Sequence, residues 1–388
     1  MEAHLLARLV ATLTMVFTSA ASAQLPPTLV RLEPGTCPTC TVALEKVAVI
    51  GRATDKELAP EHANAVMLAD GGFAVSDNMA KQPILRYDAA GRLLGAIGTL
   101  GDGPGEYRGV FSLSRARGDS LSLLSYGRLS TISVKSGRGR SDPLPQGTQS
   151  FEHVVLTDGR ALLNIMNAAE RRFALLTPKA QLITRFGPVP TEILVGGQGG
   201  RLVGDQYSGW VALAPSPSGG AWAGSTHYSH RVQKVAADGK VLLDVARKPA
   251  WFQPYTYADM VEKSQRLGEL RTPSPAKLTG VGVSGEGLLF TVFRVADAKW
   301  KADPKAPPPA PASEESPVEN RVPTGGIERY VDAILEVYRE RDGAFLGAWR
   351  SDALLGSMLP NGMLWMRSQD DDGVVSYTVY RVKVTGAK

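Results

Sequence analysis

Ala65-Val-Met-Leu68, Gly72-Phe-Ala-Val-Ser76, Ile84-Leu-Arg-Tyr87 and Leu93-Leu-Gly-Ala-Ile97 follow one another as four short apolar runs. Asp70-Gly71 divides the first two, and Asp88-Ala-Ala-Gly91 divides the last two. Runs this short cannot be helices, and Asp/Gly turns between them predict hairpins, so the stretch reads as a four-stranded antiparallel meander. The pattern then returns. Leu121–Leu124 and Ser130–Val134 lead to the Lys135-Ser-Gly137 turn; Val154–Leu156, Ala161–Leu163, Phe173–Leu176 and Gln181–Thr184 form the next set. Trp210–Leu213, Ala221–Ala223, Val232–Val235 and Val241–Leu243 form another, and Leu278–Val283, Leu288–Phe293, Ala333–Tyr338 and Ala344–Trp349 one more. The second-hairpin turns at Gly91, Gly137, Ala180 and Gly239 are 46, 43 and 59 residues apart.

Four strands repeating every ~40–50 residues are the mark of a β-propeller. Both faces of a blade pack on neighbours, which is why the apolar runs need not alternate. Five blades are complete after residue 60. The sixth has only Ala353–Leu355, Met363–Met366 and Val374–Val384, and Val42–Ile50 is expected to supply the missing strand. The fold expected is therefore all-β: a six-bladed β-propeller of four-stranded antiparallel blades, closed by an N-terminal strand that completes the C-terminal blade. Residues 24–388 make this one domain. Two segments interrupt it. Tyr257–Leu270 has the spacing of a short amphipathic helix. A Pro-rich insertion at about 298–327 has a composition that favours disorder.

The apolar run Leu9–Phe17 ahead of Ala21-Ser22-Ala23 reads as a signal peptide over residues 1–23, cleaved near Ala23. The expected location is periplasmic or secreted, and no other run approaches the ~20 apolar residues of a transmembrane segment. In such a compartment Cys37 and Cys40, the chain's 2 cysteines, are expected to form a structural disulfide. A redox pair would need a helix N-terminus after them, whereas a strand follows. Thr41 stands where c-type haem attachment needs a histidine. Across 388 residues, 43 Lys+Arg against 38 Asp+Glu leave a net charge of only +5, with no basic block to hold nucleic acid.

Tyr87-Asp-Ala-Ala-Gly-Arg-Leu-Leu-Gly-Ala-Ile-Gly-Thr-Leu-Gly-Asp-Gly-Pro-Gly-Glu-Tyr107 resembles the inter-blade segment of the NHL-like six-bladed β-propellers of secreted bacterial proteins. The family pattern is an aromatic-Asp-x-x-Gly hairpin, then Ile-Gly and Gly-x-Gly-Pro-Gly-Glu-aromatic. The resemblance implies the fold and leaves function open, since members of the wider group bind ligands, signal, or act as metal-dependent lyases and lactonases.

In a propeller, the crossings between blades share a face with the loops between second and third strands. That face is expected to carry Asn78, Lys81, Glu106, Tyr107, Arg108, Tyr126, Arg128, Asn167, Arg171, His227, Tyr228 and His230. These aromatic, basic and amide groups suit a polar or anionic ligand. Glu106 is also placed to accept backbone hydrogen bonds within its own loop. No Gly-x-Ser-x-Gly elbow or His-Glu-x-x-His helix occurs, and only His227 and His230 of 5 histidines are close neighbours. The reading is a monomeric extracytoplasmic propeller that binds a small molecule, glycan or protein through this face, with no catalysis and no cofactor. The alternative is a metal-dependent lyase or lactonase-like hydrolase with a divalent ion in the central channel, which needs His and Asp/Glu from several blades.

Overall fold

The computed structural model describes residues 27–57, 59–60, 63–77, 82–103, 106–165, 172–187, 211–226, 229–255, 271–305, 330–352, 356–370 and 372–387. The chain opens with β1 (Val30–Glu33) and β2 (Thr41–Ile50), which belong to the last two blades. Blade 1 follows as β3 (Ala63–Met67), β4 (Phe73–Asp77), β5 (Ile84–Tyr87) and β6 (Leu93–Ile97). Blade 2 holds β7 (Ser112–Arg115), β8 (Ser120–Ser125), β9 (Arg128–Ser133) and β10 (Gly139–Pro143). Blade 3 holds β11 (Glu152–Val155), β12 (Ala161–Asn164), β13 (Phe173–Leu176) and β14 (Leu182–Phe186). Blade 4 holds β15 (Val211–Pro215), β16 (Ala221–Ser225), β17 (Arg231–Val235) and β18 (Val241–Ala246). Blade 5 holds β19 (Lys277–Val283), β20 (Leu288–Ala296), β21 (Val331–Arg339) and β22 (Phe345–Ser351). Blade 6 holds β23 (Ser357–Met358), β24 (Met363–Gln369) and β25 (Val375–Thr385).

Every pairing between these strands is antiparallel, and β2 lies beside β25 as the fourth strand of blade 6, from Thr41 opposite Thr385 to Ile50 opposite Tyr377. The chain is a six-bladed β-propeller closed by its own N-terminal strand. One blade departs from the expected four strands. β1 pairs with the outer edge of β22, so blade 5 has five. The first strand of blade 6 also differs from expectation: it is Ser357–Met358, while 353–355 lie outside the described residues. The same is true of the signal-peptide stretch, the 257–270 segment and residues 306–329 of the Pro-rich insertion. The beginning of that insertion is fixed, because Ala298 N–H donates to the Asp332 carboxylate at 3.1 Å.

The core is distributed between blades. Ile84 and Ile97 of blade 1 meet Leu113, Leu121 and Ile132 of blade 2. At the closure, Phe73, Leu85 and Tyr87 of blade 1 meet Ile50, Trp365, Tyr377 and Val379 of blade 6. Middle strands such as β4 and β12 are buried at every position, whereas outer strands such as β18 are largely exposed. That gradient explains the continuous apolar runs in the second and third strands. The Asp-x-x-Gly turns also have a cause. Asp88 Oδ1 accepts from Ala90 N–H (3.0 Å) and Arg92 N–H (2.9 Å), leaving a left-handed corner at Gly91, φ 81°. A Cβ at Gly91 would lie 2.1 Å from the Val49 carbonyl oxygen, so only glycine lets the turn seat against β2.

The Cys37–Cys40 disulfide closes the loop between β1 and β2. The Arg31 guanidinium inside that loop donates to the carbonyls of Pro34, Cys37, Pro38 and Cys40. The loop therefore forms around a cation, and the disulfide fixes the point where β1 leaves blade 5 and β2 enters blade 6.

Candidate ligand site at the channel mouth

Phe111-Ser112 and Phe151-Glu152 occupy the same place in successive blades, a phenylalanine just before the innermost strand and a polar residue at its first position. Both pairs thus stand at the channel mouth, on the face that carries the blade crossings. The rings of Phe111 and Phe151 meet edge to face, with centroids 4.6 Å apart. Tyr126, in the tight turn between β8 and β9, meets the other side of Phe111 edge to face at 4.5 Å. Tyr126 is 71% exposed, among the largest exposures of any described apolar or aromatic residue, and forms an open platform.

Polar groups sit beside the platform. Ser112 Oγ donates to the Glu152 carboxylate at 3.4 Å and lies 3.1 Å from His153 Nδ1; His153 Nε2 lies 2.9 Å from Ser122 Oγ. On the other side, the Asn64 side-chain amide donates to the Phe111 carbonyl at 2.7 Å. Burial pushes the Glu152 carboxyl up to about 8 against the opposing hydrogen bond from Ser112, although the residue as a whole keeps partial exposure. Burial pushes the His153 ring down to about 3, partly offset by its bond to Ser122. At neutral pH Glu152 therefore brings a largely uncharged carboxyl to the mouth, while Ser112 (4% exposed) and the neutral His153 ring (1% exposed) lie beneath it, bonded to the interior.

These shifts set a pH dependence. Between about 4.5 and 8 the unfolded chain releases a proton that native Glu152 keeps, so stability falls as pH rises through that window. His153 acts oppositely: its contribution is lost as pH falls from about 6.5 towards 3. Urea titrations of Glu152→Gln are expected to lack the decline that the parent shows between about pH 4.5 and 8, with the loss below about pH 4.5 unchanged.

The sequence-derived candidates divide. Tyr126 belongs to the platform. Glu106 Oε2 accepts the Gly103 N–H at 2.7 Å, and a Cβ at Gly101 would lie 2.0 Å from that oxygen, so this carboxylate shapes its own loop. Tyr107 is 2% exposed; its hydroxyl donates to the Ile97 carbonyl (2.6 Å) and accepts from Ile84 N–H (2.8 Å). It pegs two strands of blade 1 together and does not face solvent. Arg108 makes an exposed ion pair with Asp102 at 2.8 Å, and Arg128 Nε donates to Ser141 Oγ at 2.8 Å. His230 is 4% exposed and buried between blades 4 and 5, with Nε2 2.9 Å from Glu336 Oε2 and its ring stacked on Phe293. Asn78, Lys81, Asn167, Arg171, His227 and Tyr228 lie outside the described residues. Among the described residues, no three His, Cys, Asp or Glu side chains gather in a metal-binding group.

Sequence reasoning passed over Phe111, Ser112, Phe151 and Glu152. The signal was present as the Phe-polar pair repeated 40 residues apart, each just ahead of an inner strand.

No protein-family model matches the chain, and no curated protein does. Likeness appears among solved structures. A protein of Bacteroides fragilis described as exported superposes with a TM-score of 0.55 at 9% identity, over 91% of this chain and 98% of its own. The two share a fold. An extracellular domain of a hybrid two-component system from B. thetaiotaomicron gives a TM-score of 0.45 at 10% identity, over 92% of this chain and 42% of that one. A luciferin-regenerating enzyme gives 0.43 at 11% identity, over 87% and 95%. The last two add nothing to the conclusion drawn from the first.

Proposed function

We propose that this chain is an extracytoplasmic binding propeller of the NHL-like kind, which takes a polar ligand with an apolar face at the mouth of its central channel. The exposed Tyr126 ring, braced by Phe111 beside Ser112 and Glu152, carries this reading. A sugar ring fits that chemistry best: its C–H face lies against an aromatic ring while its hydroxyls reach the neutral Glu152 carboxyl. The signal-peptide stretch and the Cys37–Cys40 bond support export to an oxidising compartment. No helix among the described residues is long and apolar enough to cross a membrane. The protein acts as a monomer and uses no cofactor in this reading.

A glycan array probed with the purified protein tests it. Retention of a defined set of oligosaccharides is expected, with signal lost on Tyr126→Ala. An array on which wild type retains nothing above a control protein contradicts the proposal.

A further inference from the structure

The face opposite the channel mouth carries a cleft of about 290 Å³ between blades 1 and 2. It lies where the β3–β4 hairpin of blade 1 approaches the β7–β8 and β9–β10 hairpins of blade 2. Its floor is apolar: Leu68 and Val134 are buried there, with Ala69 beside them. Its walls are charged, with Asp70, Arg86, Arg115, Asp119 and Lys135.

The charges are not equally engaged. Asp70 Oδ1 accepts the Gly72 N–H (3.0 Å) and its Oδ2 pairs with Arg86 (2.8 Å); both interactions hold its carboxyl below the usual range. Asp119 Oδ2 accepts from the Lys135 N–H (3.0 Å) and from Ser133 Oγ (3.2 Å), which commits it to the turn after β9. Arg115 and Lys135 differ. Neither side chain has a hydrogen bond or ion pair with a described residue, and both are exposed at the cleft. The site thus offers two available cations above an apolar floor, with both acids occupied.

We propose that this cleft binds a small organic carboxylate. Its carboxylate group is held between Arg115 and Lys135, and its short apolar body lies on Leu68, Ala69 and Val134. Arginine supplies a planar pair of donors that matches a carboxylate, and lysine adds a point charge. The apolar floor distinguishes an organic acid from a bare inorganic anion, and the cleft lies at the small end of ligand-sized cavities. This site is separate from the channel mouth and stands whether or not that mouth binds sugars.

Calorimetric titration of the purified full chain tests the proposal, using hexanoate, hexan-1-ol and inorganic phosphate as probes. Hexanoate is expected to saturate in the millimolar range, with affinity falling as salt is added. The alcohol is expected not to bind. The double variant Arg115→Gln, Lys135→Gln is expected to weaken hexanoate by about tenfold or more, while Tyr126→Ala leaves it unchanged. Both replaced side chains are exposed, so an unchanged urea midpoint will show that the double variant is folded. Absence of saturation overturns the proposal, as does equal affinity in the double variant. Tighter binding of phosphate than of hexanoate overturns the assigned ligand class.

Discussion

A chain that starts at Arg52, and so lacks β1 and β2, is expected to lose cooperative unfolding and to aggregate. β2 runs along β25 from Thr41 opposite Thr385 to Ile50 opposite Tyr377, and without it that long strand becomes a bare edge. The loss extends beyond hydrogen bonds. Ile50, fully buried, and Ala48 pack with Phe73 and Tyr87 of the first blade, so β2 is the material that joins blade 6 to blade 1. A milder change gives a graded version: Ile50→Ala is expected to cost about 2–5 kcal/mol in urea titration. A truncated chain that unfolds with the parental midpoint would contradict closure by β2.

The second large effect lies between blades 4 and 5. Glu336 is fully buried on β21 and accepts from His230 Nε2 (2.9 Å), Tyr338 OH (2.6 Å) and Thr291 Oγ1 (3.1 Å), while its other oxygen pairs with Arg247. Arg247 also pairs with Glu33 of β1 and lies over the Phe345 ring, so one carboxylate organises the joint between two blades and the extra strand. Burial weakens the charge on Arg247, but Glu336, Tyr338 and Glu33 together outweigh that effect and raise its pKa. Replacing Glu336 with alanine leaves the buried His230 imidazole without its acceptor and takes from the part-buried Arg247 one of its two carboxylate partners, and is expected to cost about 3–5 kcal/mol. Glu336→Gln keeps the volume and part of the hydrogen bonding, so its cost should be smaller. A loss below about 1 kcal/mol for alanine in urea titration would show that the network contributes little.

The fold was readable because hairpin turns and buried middle strands leave strong local marks: Asp-Gly corners and unbroken apolar runs. The closing strand was readable by arithmetic, since the last blade lacked one strand and Val42–Ile50 had no other partner. What escaped was polar or brief. β7 reads Ser-Leu-Ser-Arg and β10 reads Gly-Arg-Ser-Asp-Pro, so neither shows an apolar run, although each completes a blade. β1 is four residues long on an outer edge, and its partner strand β22 lies more than 300 positions away. The candidate site was partly legible for a related reason. Tyr126 beside a turn glycine announces exposure. Tyr107 and His230 look equally available in sequence, yet each sits one step inside the fold and bonds to its interior. Glu152 reads as an ordinary strand start until blade 2 places Ser112 against it.

The most direct measurement of the central claim, that the channel mouth is the ligand site, is a titration at neutral pH with the oligosaccharide most strongly retained on the array. Wild type would be measured beside Tyr126→Ala and the Arg115→Gln, Lys135→Gln protein. The account predicts a loss of about tenfold or more for Tyr126→Ala, with the double variant unchanged. Equal affinity in wild type and Tyr126→Ala would place the site elsewhere and contradict it.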